Sequence, residues 1–277
     1  MLKKLKILIA GCATIFLLTS CTGGDSVSMD NNINSLQSFK EYQWESLAQR
    51  KIYFGHQSVG FNIMEGLNDL MRENKSIKLN IIETSDRRSM QTGAFAHSRV
   101  GNNEDPHSKT VAFEKLLDDG LGDACDTAFF KFCYVDINSE TDIQDVFSSY
   151  KNTMKRLKEE YPHIRFIHTT VPLGASRSNW KVTIKKILGK EIWAYEQNIA
   201  RNRYNDLLRE EYAGKEPIFD LAQVESTYPD GTRSTFEKDD KVYFSMVPDY
   251  TYDHGHLNEK GRRMVAQELL NVLISLE

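Results

Sequence analysis

Two kinds of apolar run alternate along this 277-residue chain, and their alternation predicts the fold. Short runs of strand length lie at Lys51–Phe54, Ile77–Ile82, Thr127–Tyr134, Arg165–Val171 and Ile218–Leu221. Stretches with helical spacing follow or precede them: Phe39–Arg50, Val59–Glu73, His107–Asp118, Ile143–Tyr161, Ala194–Tyr212 and Glu259–Leu276. In Val59–Glu73 the residues Ile63, Leu67, Leu70 and Met71 fall on one face. Breakers agree with these bounds. Gly55–Ser58 interrupts the first strand, Pro106 suits the first turn of a helix, and Pro162 and Pro172 close a helix and a strand. Thr127–Tyr134 is nearly all apolar, as in a strand buried on both faces. Strands alternating with helices predict an α/β fold, a three-layer α/β/α sandwich around a mostly parallel sheet. Glu83–Asp105 reads as a long polar loop, and Gly174–Trp193 as a basic excursion.

The first residues do not fit this pattern. Lys3, Lys4 and Lys6 precede a mostly apolar run, Ile7–Leu18, that is too short to remain as a spanning helix. Residues 1–20 therefore read as a secretion signal. Leu18-Thr19-Ser20-Cys21 resembles the lipobox of bacterial lipoproteins, which implies lipidation of Cys21 and a membrane anchor there. Residues 21–38 are rich in Gly, Ser, Asn and Asp and read as a tether, leaving 39–277 as one domain. The expected location is extracytoplasmic, on the periplasmic side of a bacterial membrane or at the cell surface. Loss of the signal lowers the basic side chains from 35 to 32 against 39 acidic ones, a formal −7. That balance argues against nucleic acid as a partner. Cys125 and Cys133 remain in a compartment that permits disulfides. Placed at opposite ends of an eight-residue strand they would lie about 26 Å apart, too far to pair, so both are expected to be free.

Two segments carry candidate chemistry: Gly55-His56-Gln57-Ser58-Val59-Gly60 and Asp253-His254-Gly255-His256-Leu257. A hydroxyl nucleophile needs a base to take its proton, and the base needs a partner that orients it. Ser58, His256 and Asp253 supply these residue types in the order Ser, Asp, His, at the two ends of one domain. The chemistry this suggests is ester hydrolysis. Each residue also has a plainer reading: Ser58 as the N-cap of the following helix, and Asp253 and His256 as a polar turn. His254 and His256 could begin a metal site with His56 and His97, but no second tight pair completes it, and neither metal nor cofactor is expected. His56 is read as a pocket wall or hydrogen-bonding residue, and His168 as a satisfied core histidine. Trp180, Trp193 and Tyr195 would stack on a sugar if exposed and anchor packing if buried. Lys181, Lys185, Lys186 and Lys190 read as a solvated face. Gly24-Asp25-Ser26 lies in the tether, where a nucleophile cannot be held rigidly.

The segments around Ser58 and His256, with Asn258 and Gly261 leading an apolar helix, resemble the SGNH (GDSL-type) hydrolase superfamily over about Lys51–Glu277. The resemblance implies a three-layer α/β/α fold, Ser58 as nucleophile, and Asp253 and His256 as acid and base. Gln57-Ser58 stands where many members have Asp-Ser, and is closer to sialate O-acetylesterase-like members. Gly101 matches the glycine whose N–H joins the oxyanion hole. The third block departs from the family: Tyr134-Val135-Asp136-Ile137-Asn138 holds no Gly-x-Asn-Asp, and Asn138, Asp136, Asn102 or Asn103 could stand in for its asparagine. The implied activity is hydrolysis of small acyl esters, O-acetyl groups on a carbohydrate or other acylated small molecule. Acyl transfer to a glycan, or a non-catalytic glycan-binding or envelope-assembly role, are the alternatives.

Overall fold

A computed structural model describes Leu36, residues 38–176 and residues 193–276. The expected signal segment 1–20, Cys21, Gly24-Asp25-Ser26, Trp180 and the lysines at 181, 185, 186 and 190 lie outside the described residues, as does the side chain of Trp193.

The first apolar run forms β1, Ile52–His56, with every residue buried. Its side chains alternate across the sheet, so Ile52 and Phe54 join one core and Tyr53 the other. β1 lies between β3 (Ala94–Arg99) and β4 (Thr127–Phe130). β2 (Asn80–Glu83) pairs outside β3, and β5 (Arg165–Phe166) outside β4, all in parallel. Beyond Ile167, β6 (His168–Thr169) pairs in parallel with β7 (Ile218–Phe219). One face is covered by α1 (Glu41–Leu47), α2 (Ser58–Glu73) and α7 (Glu259–Ile274), whose Trp44, Ile63, Leu67, Val265 and Leu269 are buried in one core with Phe54. The other is covered by α3 (Pro106–Leu116), α4 (Ile143–Glu160) and α5 (Trp193–Tyr212), through Phe113, Tyr150 and Leu208. The result is the three-layer α/β/α sandwich that the hydrophobic pattern predicts.

The structure corrects the element map in three places. The expected loop Glu83–Asp105 contains β3, which is the direct neighbour of β1. The expected strand Thr127–Tyr134 stops at Phe130, although Phe132 and Cys133 stay buried as irregular chain. An antiparallel hairpin, β8 (Thr235–Lys238) and β9 (Lys241–Phe244), follows the short helix α6 (Leu221–Glu225). Its turn residues Asp239 and Asp240 both have positive φ, 50° and 57°, as a tight two-residue hairpin turn requires.

Other expectations can be placed directly. Cys125 and Cys133 are both free and buried, and burial pushes the Cys125 thiol up to about 12. His168 is a satisfied core residue: its Nδ1 accepts from the Tyr150 hydroxyl at 2.7 Å and its Nε2–H donates to Glu216 at 3.0 Å. Tyr195 is a packing anchor, buried and stacked on Phe236 at 4.1 Å. No helix of the described residues is long and apolar enough to cross a membrane.

One buried group gives a stability prediction. Glu225, at the end of α6, is fully buried; Leu173 N–H donates to its Oε2 at 2.8 Å, and its Oε1 has no partner. Burial pushes this carboxyl up to about 8, against the opposing pull of the Leu173 amide, Lys131 and Arg201. The folded protein therefore holds a proton that the unfolded chain releases in the ordinary carboxylate range. Stability falls as pH rises from that range through 8. Glu225→Gln keeps an acceptor for Leu173 and removes the titration. Its urea midpoint should vary less between pH 5 and pH 8, and at pH 8 its stability should exceed that of wild type by on the order of 2 kcal/mol. Parallel profiles for the two proteins would show that Glu225 is ionised throughout.

Candidate active site

Ser58 sits where β1 hands over to α2. Gln57 is the N-cap, with no side-chain capping bond, and Ser58 is the first helical residue. The helix does not use the serine hydroxyl as a cap. Instead, Ser58 Oγ lies 2.9 Å from His256 Nε2, a partner 198 positions away. His256 Nδ1 lies 2.6 Å from Asp253 Oδ2. A carboxylate only accepts, so the ring proton sits on Nδ1 and the Nε2 lone pair faces the serine hydroxyl, which donates to it. Asp253 Oδ1 also accepts from the N–H groups of Gly255 (3.1 Å) and His256 (2.8 Å). Burial raises the Asp253 carboxyl, but these hydrogen bonds outweigh it and hold the group below its ordinary value.

The loop bearing Asp253 and His256 is fixed from several sides. His254 takes a left-handed backbone, φ 80°, and its carbonyl accepts from Ala175 N–H at 2.8 Å. Leu257 N–H donates to Asn62 Oδ1 of α2 at 3.1 Å. Asn258 caps α7 by accepting from Gly261 N–H at 3.0 Å. Arg262 of α7 then reaches Asp69 (2.8 Å) and Glu65 (3.0 Å) on α2. The helix that presents Ser58 and the helix that follows His256 are thereby clamped together. The site is open to water: the side chains of His256 and Asp253 are 25% and 42% exposed. Two aromatic rings flank His256. Tyr134 meets it edge-on at 5.8 Å, and the exposed Tyr252 lies nearly parallel to it at 6.1 Å.

Gln57 has a role that its sequence context did not reveal. Its side-chain amide donates to the carbonyls of Val100 (3.0 Å) and Gly101 (2.7 Å), and Arg99 donates to its Oε1 at 3.2 Å. The residue before the candidate nucleophile thus staples the Gly101 loop to it. Gly101 has φ 57°, and a Cβ there would lie 2.5 Å from Lys109 N, so only glycine fits. Asn102 is exposed, and its N–H donates to Ser108 Oγ at 2.8 Å.

Asp136 does not serve as an oxyanion donor. It is fully buried, pairs with the equally buried Lys109, and accepts from the N–H groups of Cys133 (2.6 Å) and Glu104 (2.9 Å). Asn138 closes a local turn by accepting from Glu140 N–H at 2.9 Å. It lines a depression of about 280 Å³ beside Glu104, His107 and Asp145, with none of Ser58, His256 or Asp253 in its lining. Asn103 Oδ1 accepts from Lys109 at 3.2 Å. Among the described residues, no group of three or more His, Cys, Asp and Glu side chains could hold a metal ion. His56 turns inward, fully buried, onto His97.

Fold and site together define a three-layer α/β/α protein with a solvent-facing line of Ser, His and Asp. Solved structures similar to it include a Streptococcus pneumonia protein described as a platelet activating factor (13% identity, 87% of this chain and 95% of that one, TM-score 0.49). Another is a Desulfitobacterium hafniense protein described as a lipolytic protein of the G-D-S-L family (10%, 80% and 99%, TM-score 0.43). A third is the periplasmic domain of a lipopolysaccharide acetyltransferase from Salmonella ser. Paratyphi A (12%, 90% and 97%, TM-score 0.44). No family model and no curated protein matches the chain.

Proposed function

We propose that the protein is a serine esterase that removes small acyl groups, O-acetyl foremost, from carbohydrate. The observation that carries this reading is the continuous hydrogen-bonded line from Ser58 Oγ through His256 to Asp253. In the proposed reaction Ser58 Oγ attacks the acyl carbonyl while His256 Nε2 takes its proton. The C–O bond to the leaving alcohol then breaks, and His256 returns the proton to that alcohol. Water, deprotonated in turn by His256, releases the acid from the acyl-serine. Asp253 holds the Nδ1–H tautomer and stabilises the imidazolium. The N–H groups of Ser58 and Gly101 are the proposed oxyanion donors.

The open setting of His256 and Asp253 suits an acyl group that projects from a bulky alcohol. The signal-like residues 1–20 and Cys21 support an extracytoplasmic, lipid-anchored enzyme, where such alcohols are polysaccharides. Fluorophosphonate treatment of the domain from residue 22 onward, followed by mass spectrometry, should place one adduct on Ser58. A folded protein without an adduct would refute the reading and leave the glycan-binding alternative. Product analysis with an added sugar acceptor separates hydrolysis from acyl transfer.

Tyr252 bears on the alcohol. Its ring is 64% exposed beside His256, where it can stack on a sugar. Tyr252→Ala should raise KM for an acetylated oligosaccharide about fivefold while leaving p-nitrophenyl acetate kinetics within twofold, an effect of about 1 kcal/mol of ring contact. Equal effects on both substrates would remove Tyr252 from sugar recognition.

A further inference from the structure

His256 holds the Ser58 hydroxyl, but the peptide that leads into Ser58 has a separate support underneath. We propose that His97 and His56 form a two-imidazole relay that positions and polarises the Gln57–Ser58 peptide, making the Ser58 N–H a strong oxyanion donor. The inference rests on the serine esterase reading.

The geometry starts in the sheet. β1 and β3 pair in register with Phe54 opposite His97 and His56 opposite Arg99, which sets the two histidines on one diagonal. His56 Nε2 lies 2.9 Å from His97 Nδ1, and His56 Nδ1 lies 2.7 Å from the Gln57 carbonyl oxygen. Phe54 lies against the His56 ring at 4.8 Å, and Phe61 meets both imidazoles edge-on, at 4.8 and 5.8 Å. His56 occupies the space under the first turn of α2. A Cβ on Gly60 would stand 2.0 Å from His56 Cγ, so glycine at position 60 makes room for this ring.

Proton accounting gives the relay a direction. The Gln57 carbonyl can only accept, so His56 carries its proton on Nδ1. A neutral His56 then offers a lone pair at Nε2, and His97 must donate to it from Nδ1. Both rings are buried, and burial pushes both histidines down, His56 to about 3. Lys131 and Arg99 oppose a charge on His56, whereas Glu83 favours one on His97. The two imidazoles thus donate in series and end on the Gln57 carbonyl, which also accepts from Gly60 N–H at 2.8 Å.

Hydrogen bonds in a chain polarise one another, and drawing density toward the Gln57 oxygen strengthens the N–H at the other end of that peptide. That N–H belongs to Ser58, the first residue of α2, where the helix supplies no acceptor. Asp136 only accepts, and Asn138 lines a depression that Ser58 does not share, so the backbone carries more of the oxyanion than it would beside a side-chain amide. His56 and His97 act through the peptide and are positioning residues.

His97→Asn and His97→Leu test this. The asparagine amide keeps an N–H near the place of Nδ1, and leucine does not. With p-nitrophenyl acetate, His97→Leu should lower kcat about tenfold with KM unchanged, part of the roughly 10²–10³ that follows outright loss of an oxyanion donor. His97→Asn should stay within twofold. A leucine variant with wild-type kcat, or equal losses in both variants, would overturn the relay. Long-range ¹H–¹⁵N spectra of the wild-type domain give a second readout that does not depend on turnover. Both rings should be neutral and protonated at Nδ1 at pH 7, and a proton on His56 Nε2 would also overturn it. Wild-type protein that neither turns over esters nor labels with fluorophosphonate would instead remove the esterase reading, with the tautomers still deciding the relay.

Discussion

Ser58→Ala should lower kcat toward p-nitrophenyl acetate by about 10⁴–10⁶ and leave the folded protein intact. Loss of a serine nucleophile from an assembled triad has costs of this size, because the covalent path closes. The fold should not notice. Gln57, not Ser58, is the N-cap of α2, and among the described residues the serine hydroxyl pairs with His256 alone. Alanine also has the higher helix propensity. Stability in urea should therefore stay within about 0.5 kcal/mol of wild type. The measurement pairs initial rates with circular dichroism and the urea midpoint. Turnover at the wild-type rate by the folded variant would show that another residue performs the reaction.

The largest loss of stability is expected at a buried ion pair beside the Gly101 loop. Lys109 and Asp136 form an ion pair in which neither side chain is exposed. Asp136 also accepts from Cys133 and Glu104, and Lys109 donates to Asn103, so one pair joins α3, the Gly101 loop and the chain after β4. Lys109→Met leaves a buried carboxylate facing a methyl group. Two N–H donors remain, but no cation does. Breaking a buried pair from one side costs about 3–5 kcal/mol, a third or more of the stability of many domains. Adding Asp136→Asn should recover part of that loss, since the amide carries no charge and its oxygen keeps one of the two backbone donors, while its NH2 faces the other. Urea unfolding of the two variants checks both outcomes. A Lys109→Met protein within 1 kcal/mol of wild type would mean that water reaches this pair.

How much of this was legible in the chain depends on what each signal encodes. Hydrophobic period reports burial, and it located the helices well: Ile63, Leu67 and Leu70 are all buried on the core face of α2. Burial is not pairing, however. Phe132 and Cys133 are as buried as a central strand, which made Thr127–Tyr134 read as one element, yet strand pairing ends at Phe130. The opposite error hid β3. Ala94, Ala96 and Ser98 are small and Arg99 is charged, so they give little apolar signal, although β1 and β2 pair on either side of them. The hairpin at 235–244 did carry a signal, two aspartates between alternating segments.

The candidate site divides in the same way. Ser58, Asp253 and His256 stood out because their types and order suit one reaction, and the structure brings these three together. Gln57 was read only as a family variant and His97 only as a conceivable metal ligand, since their hydrogen-bond partners depend on the pairing of β3 with β1. Asp136 looked like a substitute donor, and only its burial against Lys109 shows that it accepts.

The sequence by itself determined which faces are apolar, where helices start and stop, and which side chains could do acyl chemistry. These are local properties, set by period, capping and residue type. Tertiary structure decided the partners. Strand order places β3 beside β1, register sets His97 within reach of His56, and the α2–α7 clamp closes 198 positions into a 2.9 Å hydrogen bond. No local pattern encodes such distances, because they depend on how separate elements pack.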